Sequence, residues 1–104
     1  MNATLQTVWS EHEALVLERI AMVERALGEL IAGRLSEHEC EQARRAAHML
    51  AGSVGMFGFE RSSRAALALE RALEEHATPD AARAQWLREQ LAIMRAEGLE
   101  PPRA

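Results

Sequence analysis

The sequence has no lysine and no tyrosine, and it contains a single cysteine among its 104 residues. Because Cys40 has no second cysteine to pair with, an intrachain disulfide, a CxxC motif and a cysteine-based zinc box are all excluded. All 12 basic side chains are arginines that form no basic run, and the formal net charge is −4. A nucleic-acid binder gains affinity by releasing counterions at a basic face, so this class of protein is not expected here.

Long apolar segments are also missing. No apolar run approaches the roughly 18 residues that are needed to cross a bilayer. The N-terminus lacks the charged-then-apolar pattern of a signal peptide. We therefore expect a cytoplasmic protein that does not interact with membranes.

Aromatic residues make up only 4% of the chain, whereas hydrophobic residues reach 48% and are mostly alanine and leucine. This composition favours helices over strands and is sufficient for a packed core. The sequence predicts one all-α domain over residues 1–96, followed by a tail or the start of a linker over residues 97–104, where Gly98, Pro101 and Pro102 occur.

Cap and stop signals divide the domain into four helices. The first is predicted from about Thr4 to Ile31, with a break near Ser10 left open, and Gly33 marks its end. Its apolar residues follow one helical stripe: Leu5, Trp9, Val16, Ile20, Val23, Leu27 and Leu30. The second helix starts at a capping box formed by Ser36 and Glu39, with Leu35 and Cys40 as a hydrophobic staple, and runs to about Phe57.

Gly58 is predicted to end the second helix in a left-handed conformation and to turn the chain into the third helix. The third helix covers about Glu60 to His76. Thr78 followed by Pro79 predicts the start of the fourth helix, which continues to about Ala96. Short connections between long amphipathic helices favour antiparallel neighbours, so we expect an antiparallel up-down four-helix bundle.

Histidine is the first candidate for chemistry, because its neutral ring is a competent nucleophile near neutral pH. His12, His38 and His76 are interpreted as surface or boundary residues. His48 differs because the apolar residues of its helix cluster on the opposite side, so the imidazole should point outward. That apolar set consists of Ala43, Ala46, Leu50 and Phe57.

The helical neighbours of His48 are unusual. Arg44 and Arg45 precede it by one turn, and Ala51, Gly52 and Gly55 follow it within two turns. Each glycine inside a helix costs roughly 1 kcal/mol relative to alanine, so a purpose other than helix stability is expected. Small side chains would let a partner approach the imidazole closely, and the two arginines could offset the charge of a phosphoryl group.

A metal site is not predicted. No histidine or carboxylate lies three or four residues from His48, and the Glu-x-x-His pattern of di-iron bundles is absent. Serine nucleophiles lack a G-x-S-x-G motif. An enzyme or cofactor-binding bundle would need a pocket of convergent polar groups, and the sequence offers no such set.

The segment from Ala47 to Ser53, the triplet Phe57-Gly58-Phe59 and the pair Leu69-Glu70 together resemble the signature of histidine phosphotransfer (Hpt) domains. The resemblance implies that His48 is phosphorylated, that Gly52 gives a receiver domain access, and that Gly58 forms the turn. It also implies a helical bundle without kinase activity or a cofactor of its own. Such a module exchanges phosphate with the aspartate of a response-regulator receiver, whose Mg²⁺ acts as the Lewis acid, or accepts it from a sensor histidine kinase.

One position departs from the pattern. Many members of the family carry lysine three residues after the histidine, where this chain has Ala51. Either Arg44 or Arg45 on the preceding turn, or the receiver itself, would have to supply the missing charge. The rate of transfer and the choice of partner are the properties that this departure affects.

The first helix carries more apolar residues than one bundle face requires, namely Val8, Leu15 and Met22 at heptad spacing. One hypothesis is that Leu15 and Met22 form a docking patch beside His48. The alternatives are a broad buried stripe or a homodimer surface. For the whole protein, the alternative function is a helical adaptor that binds a receiver or sensor kinase without being phosphorylated.

Overall fold

The computed structural model describes residues 3–97, together with the side chains of residues 7, 8 and 10–97. Within these residues the chain forms α1 (Ala3–Ile31), α2 (Glu37–Met56), α3 (Glu60–Glu75) and α4 (Ala81–Glu97). The prediction of four helices is confirmed. The break that was left open near Ser10 does not occur, because α1 continues through it without interruption.

The end of α1 follows the glycine signal. Gly33 has a φ of 73°, and the N–H of Arg34 donates to the carbonyl of Glu29 at 2.8 Å, which closes the last turn. The predicted stripe of α1 is buried from Val16 to Leu30. Leu5 and Trp9 belong to the same predicted stripe, but their side chains lie outside those described.

Ser36 caps the start of α2 as predicted. Its Oγ accepts a hydrogen bond from the N–H of Glu39 at 3.2 Å and also lies 3.2 Å from Oε1 of Glu39. Leu35 and Cys40, the predicted staple, are both buried in the same core cluster. The thiol of Cys40 lies 2.8 Å from the carbonyl of Leu73, and burial raises the pKa of this thiol, so it stays protonated as a donor.

Replacing Ser36 with alanine should lower the free energy of unfolding by about 1 kcal/mol, because one N–H at the start of α2 loses its acceptor. Urea denaturation followed by circular dichroism measures the effect. Thr7 to alanine on α1 is not a suitable control because Thr7 makes interactions of its own. Ser10, which is exposed within α1, is suitable, and its alanine variant should be as stable as the wild type or slightly more stable.

Gly58 ends α2 in the left-handed region, with a φ of 86°. Its N–H donates to the carbonyl of Gly55 at 3.0 Å, and the N–H of Phe59 donates to the carbonyl of Val54 at 3.0 Å. This pair of bonds is the Schellman motif, which favours glycine because a side chain at positive φ is strained. The predicted turn at Gly58 is therefore confirmed, and α3 begins directly after it at Glu60.

The predicted start of α4 was wrong by two residues. The cap is Asp80, whose Oδ1 accepts a hydrogen bond from the N–H of Arg83 at 2.8 Å, and the helix begins at Ala81. Thr78 and Pro79 lie in the connection that precedes it. Aspartate is as good an N-cap as threonine or better, and this second capping side chain was not considered in the prediction.

Hydrogen bonds at both ends of the α2–α3 pair show how these helices are aligned. Cys40, near the start of α2, contacts Leu73 near the end of α3, whereas Ser63, near the start of α3, donates to the carbonyl of Ala51 at 2.9 Å. This is the pattern of an antiparallel pair. At the far end of the bundle, the N–H of Ser62 donates to Oε1 of Glu97 at 3.0 Å. The up-down order of all four helices stays a prediction.

Residues from all four helices contribute to one core cluster, with α2 and α3 in the most extensive contact. The predicted inner residues of α4, Leu87, Leu91 and Met94, are buried there. Among residues 3–97, no helix combines the length and the apolar character that are required to cross a membrane.

Candidate functional site

The imidazole of His48 lies on the outer surface of α2, and 69% of its side chain is exposed. The residues opposite it on the helix, Ala43, Ala46 and Leu50, are buried in the core. This arrangement confirms that the apolar face of α2 turns the histidine outward. Phe57, the fourth member of the predicted apolar set, is instead the half-buried C-cap residue of α2 and does not belong to the core cluster. The ring is accessible to another protein.

Glu70 of α3 is the direct partner of His48. Its carboxylate oxygens lie 3.2 Å and 3.1 Å from Nδ1 of the imidazole, while its side chain is only 16% exposed. The bond between Ser63 and the carbonyl of Ala51 fixes α3 against α2 two turns before Glu70. This hydrogen bond from the Ser63 hydroxyl to the backbone of α2 helps to set the register that places the carboxylate beside His48.

This contact selects one tautomer of the ring. An ionised carboxylate only accepts hydrogen bonds, so Nδ1 of His48 donates to Glu70. In the neutral ring, Nε2 then carries the free lone pair. The geometry leaves the exposed side of a neutral imidazole with a nucleophilic nitrogen.

Arg44 and Arg45, predicted to lie near the phosphoryl group, are engaged in ion pairs. Arg44 contacts Glu41 through Nε at 2.8 Å and Nη2 at 2.7 Å, and its Nη1 lies 3.2 Å from Oε2 of Glu70. Arg45 contacts Glu41 through Nε at 3.3 Å. Both arginines were predicted from the sequence, but their carboxylate partners were not.

The hydrogen bond to Arg44 lowers the pKa of Glu41 to about 2, and the same bond raises the pKa of Arg44. A carboxyl group whose pKa is lower in the folded protein contributes stability above its ordinary value and loses that contribution as the pH falls through the folded value. The Glu41–Arg44 pair is therefore retained through the ordinary range of glutamate titration and is lost near pH 2.

The two glycines after His48 have different surroundings. A Cβ at Gly52 would meet nothing within 4 Å, whereas a Cβ at Gly55 would lie 3.3 Å from Oγ of Ser63. The approach of α3 therefore accounts for the small residue at Gly55 in part. Nothing in the described part of the chain requires glycine at Gly52.

Ala51 differs from the expectation that it would share the open face of His48. It is only 7% exposed and belongs to the core cluster, because it lies on the side of α2 that faces α3. Its side chain therefore does not contribute to the accessible surface beside the imidazole.

Three large exposed apolar side chains, which were not predicted from the sequence, lie on the two helices that carry His48 and Glu70. Met49 precedes Gly52 by three residues and Met56 follows it by four, which is helical spacing, and Leu67 lies on α3 between Ser63 and Glu70. We call Met49, Met56 and Leu67 the apolar rim. Large hydrophobic side chains that are exposed on adjacent elements are typical of interaction surfaces.

The two residues of the hypothetical docking patch on α1 are exposed to different degrees. Leu15 is 39% exposed, whereas Met22 is half-buried and packs against the core. Met22 also lines an open groove of about 520 Å³ between α1 and α2, together with Glu39 and Gln42. The patch stays a prediction, and Leu15 is its accessible member.

No three His, Cys, Asp or Glu side chains come close enough to hold a metal ion in the part of the chain that the structure describes. The chemistry that the arrangement supports is nucleophilic attack by Nε2 of His48. The polar groups beside it orient the ring and carry charge.

Comparison with protein families finds a match to the Hpt domain over residues 9–97. Comparisons with curated proteins and with solved structures return no significant match. Hpt domains are helical phosphotransfer carriers of two-component phosphorelays, rather than free-standing catalysts, and they interact with receivers and kinases. Because the match includes His48, Gly52, Gly58 and Glu70 and covers well over half of the chain, the protein belongs to the Hpt domain family.

Proposed function

We propose that His48 accepts a phosphoryl group on Nε2 from the aspartyl phosphate of a receiver domain and returns it to a receiver aspartate. The observation that carries this proposal is the pairing of an exposed ring with a partly buried carboxylate at Nδ1. The pairing leaves one nucleophilic nitrogen, and it lies on the accessible side.

The step balances without another reactant. The lone pair of Nε2 forms a bond to phosphorus, the bond between phosphorus and the aspartyl oxygen breaks, and the aspartate leaves as a carboxylate. The positive charge that develops on the phosphorylated ring is stabilised by Glu70 at Nδ1, where the proton is retained. Transfer to a receiver is the reverse of this step, so the same carboxylate serves in both directions.

Neutralisation of the phosphoryl oxygens is assigned to the receiver. Both arginines near His48 are held by Glu41, and position 51 carries no cation. The Mg²⁺ of the receiver would supply Lewis-acid stabilisation of the acyl phosphate. This chain contributes the nucleophile, its orientation and an open surface.

The apolar rim supports docking of a receiver beside the imidazole. Met49, Met56 and Leu67 are all exposed on two adjacent helices, and Gly52 adds no bulk among them. Burial of apolar area would contribute affinity, while in-line transfer requires that the two reacting atoms come within about 3–3.5 Å of each other.

The proposal is tested by incubating the protein with receiver domains that carry a radiolabelled aspartyl phosphate and mapping the label. The expected product is acid-labile, base-stable phosphohistidine at residue 48, with coupling between ³¹P and Nε2 in an ¹⁵N-labelled sample. Label on another side chain, or on Nδ1 of His48, would contradict the proposal. So would the absence of transfer from every receiver in a broad panel.

Replacing Leu15 with glutamate tests whether the docking surface extends onto α1. We expect the transfer rate to fall about fivefold, as for loss of an interface contact of roughly 1 kcal/mol, with little change in the free energy of unfolding. Leu17 to glutamate is the matched control, because Leu17 is 41% exposed but lies about 200° around the helix. Equal transfer rates for the two variants would rule out docking at Leu15.

A further inference from the structure

The carboxylate that contacts His48 is itself held by a second ion pair. Nη1 of Arg44 lies 3.2 Å from Oε2 of Glu70, the same oxygen that lies 3.1 Å from Nδ1 of His48. The remaining face of the guanidinium is occupied by Glu41, with Nε at 2.8 Å and Nη2 at 2.7 Å. Hydrogen bonds therefore connect four side chains in one continuous series: Glu41, Arg44, Glu70 and His48.

The side chains at the two ends of this series are held in different ways. The Glu41–Arg44 contact is bidentate and lies within one helix, a geometry that restricts the guanidinium to one orientation. Within the described residues, the Glu70 carboxylate makes hydrogen bonds to Arg44 and His48 alone, and its side chain is only 16% exposed. The orientation of this carboxylate therefore depends on its contact with Arg44.

The position of the Glu70 carboxylate affects which ring nitrogen of His48 carries the proton. Free histidine carries its proton mainly on Nε2, the nitrogen that must be bare for attack at the exposed side. An ionised carboxylate beside Nδ1 reverses this preference, because it accepts a hydrogen bond from Nδ1 only when that nitrogen carries the proton. The fraction of protein molecules in which Nε2 of His48 is unprotonated therefore depends on how much of the time the Glu70 carboxylate contacts Nδ1.

We propose that Arg44 is the positioning residue of the phosphotransfer site: held by Glu41, it fixes the carboxylate of Glu70 on Nδ1 of His48 and keeps Nε2 bare. This inference rests on the proposed function, since it assigns a purpose to the ring geometry. Arg44 does not contact the reacting atom. It acts only through Glu70.

The experiment measures the tautomer of His48 in the unphosphorylated protein by ¹⁵N chemical shifts and two-bond ¹H–¹⁵N couplings of the imidazole, at a pH where the ring is neutral. Four variants are compared with the wild type: Arg44→Gln, Arg44→Lys, Glu70→Ala and Arg45→Gln. Arg45→Gln is the matched control, because Arg45 also contacts Glu41 but does not contact Glu70 in the described structure. Thermal unfolding establishes that each variant is folded.

The wild type should show the proton mainly on Nδ1, and Glu70→Ala should show it mainly on Nε2. Arg44→Gln should move the tautomer ratio most of the way to that of Glu70→Ala. It should also lower the rate of phosphoryl acceptance about tenfold, which is the lower end of the effect of removing an outer hydrogen-bond partner of a metal-bound histidine. Arg44→Lys, which retains the charge, should restore part of the wild-type ratio. Arg45→Gln should leave the tautomer ratio unchanged.

A wild-type ratio in Arg44→Gln would overturn the inference, as would an equal change in Arg45→Gln or no restoration by Arg44→Lys. The tautomer is read without any phosphoryl donor. Failure of the proposed function therefore appears as an unlabelled wild type, whereas failure of this inference appears in the spectrum of Arg44→Gln.

Discussion

Replacing His48 with glutamine should abolish acceptance of the phosphoryl group from a phosphorylated receiver. Glutamine has nearly the same reach as histidine, but its amide nitrogen has no available lone pair to attack phosphorus. The rate should fall by at least about a thousandfold, because no neighbouring group can replace the attacking nitrogen. The side chain is largely exposed, so the free energy of unfolding should change by less than about 0.5 kcal/mol.

His38 provides the control for this substitution. It lies on the same helix and is exposed, but it is near the other end of α2. His38→Gln should accept label at the wild-type rate. If His48→Gln still accepted acid-labile label, the phosphoacceptor would have to be another histidine. A helical adaptor that is never phosphorylated makes a different prediction, since neither the wild type nor the variants would be labelled.

Local signals were sufficient for most helix boundaries. Ser36 with Glu39, and Gly58 after Phe57, act through backbone groups within a few residues, so their spacing alone determines the cap geometry. The start of α4 was misplaced because Thr78 and Asp80 both offer a capping oxygen close to the same boundary. Only Thr78 was considered from the sequence, and Asp80, two residues later, was overlooked.

The outward direction of His48 was predictable for the same reason, because it depends on periodicity within one helix. The role of Glu70 was not predicted, since it depends on the register between α2 and α3. A signal was nevertheless available: in a hairpin centred at Gly58, residue 70 lies within one helical turn of the position opposite residue 48. The spacing of Glu41, Arg44 and Arg45 likewise matches ion pairs one turn apart.

The glycines show where helical position alone is insufficient. Gly52 and Gly55 both lie on the outer face of α2 and are both exposed. Only the position of Ser63 on α3 separates a glycine with a neighbour at 3.3 Å from one with open space around it. Gly52 therefore lowers the stability of α2, and no contact in the described part of the protein requires a glycine there. This makes Gly52 the sharper test of partner access.

Replacing Gly52 with leucine should therefore make the protein more stable and less active at the same time. A Cβ at this position meets nothing within 4 Å, and the higher helix propensity of leucine should raise the free energy of unfolding by ~0.5–1 kcal/mol. The same side chain would hold the receiver away from Nε2. Because a displacement of about 1 Å can cost roughly a hundredfold in rate, we expect transfer to fall by on the order of 100-fold.

Gly28 offers a matched control, because it is also an exposed helical glycine at which a Cβ would meet nothing within 4 Å. It lies on α1, where it lines the groove with Glu39 and Gln42 of α2 and a second groove with Arg88 and Leu91 of α4, and neither groove is lined by His48 or Gly52. Gly28→Leu should give a similar gain in stability from urea denaturation and leave the transfer rate unchanged. The difference between the two variants isolates access from stability. Wild-type transfer by Gly52→Leu would mean that the receiver does not approach His48 across this turn of α2.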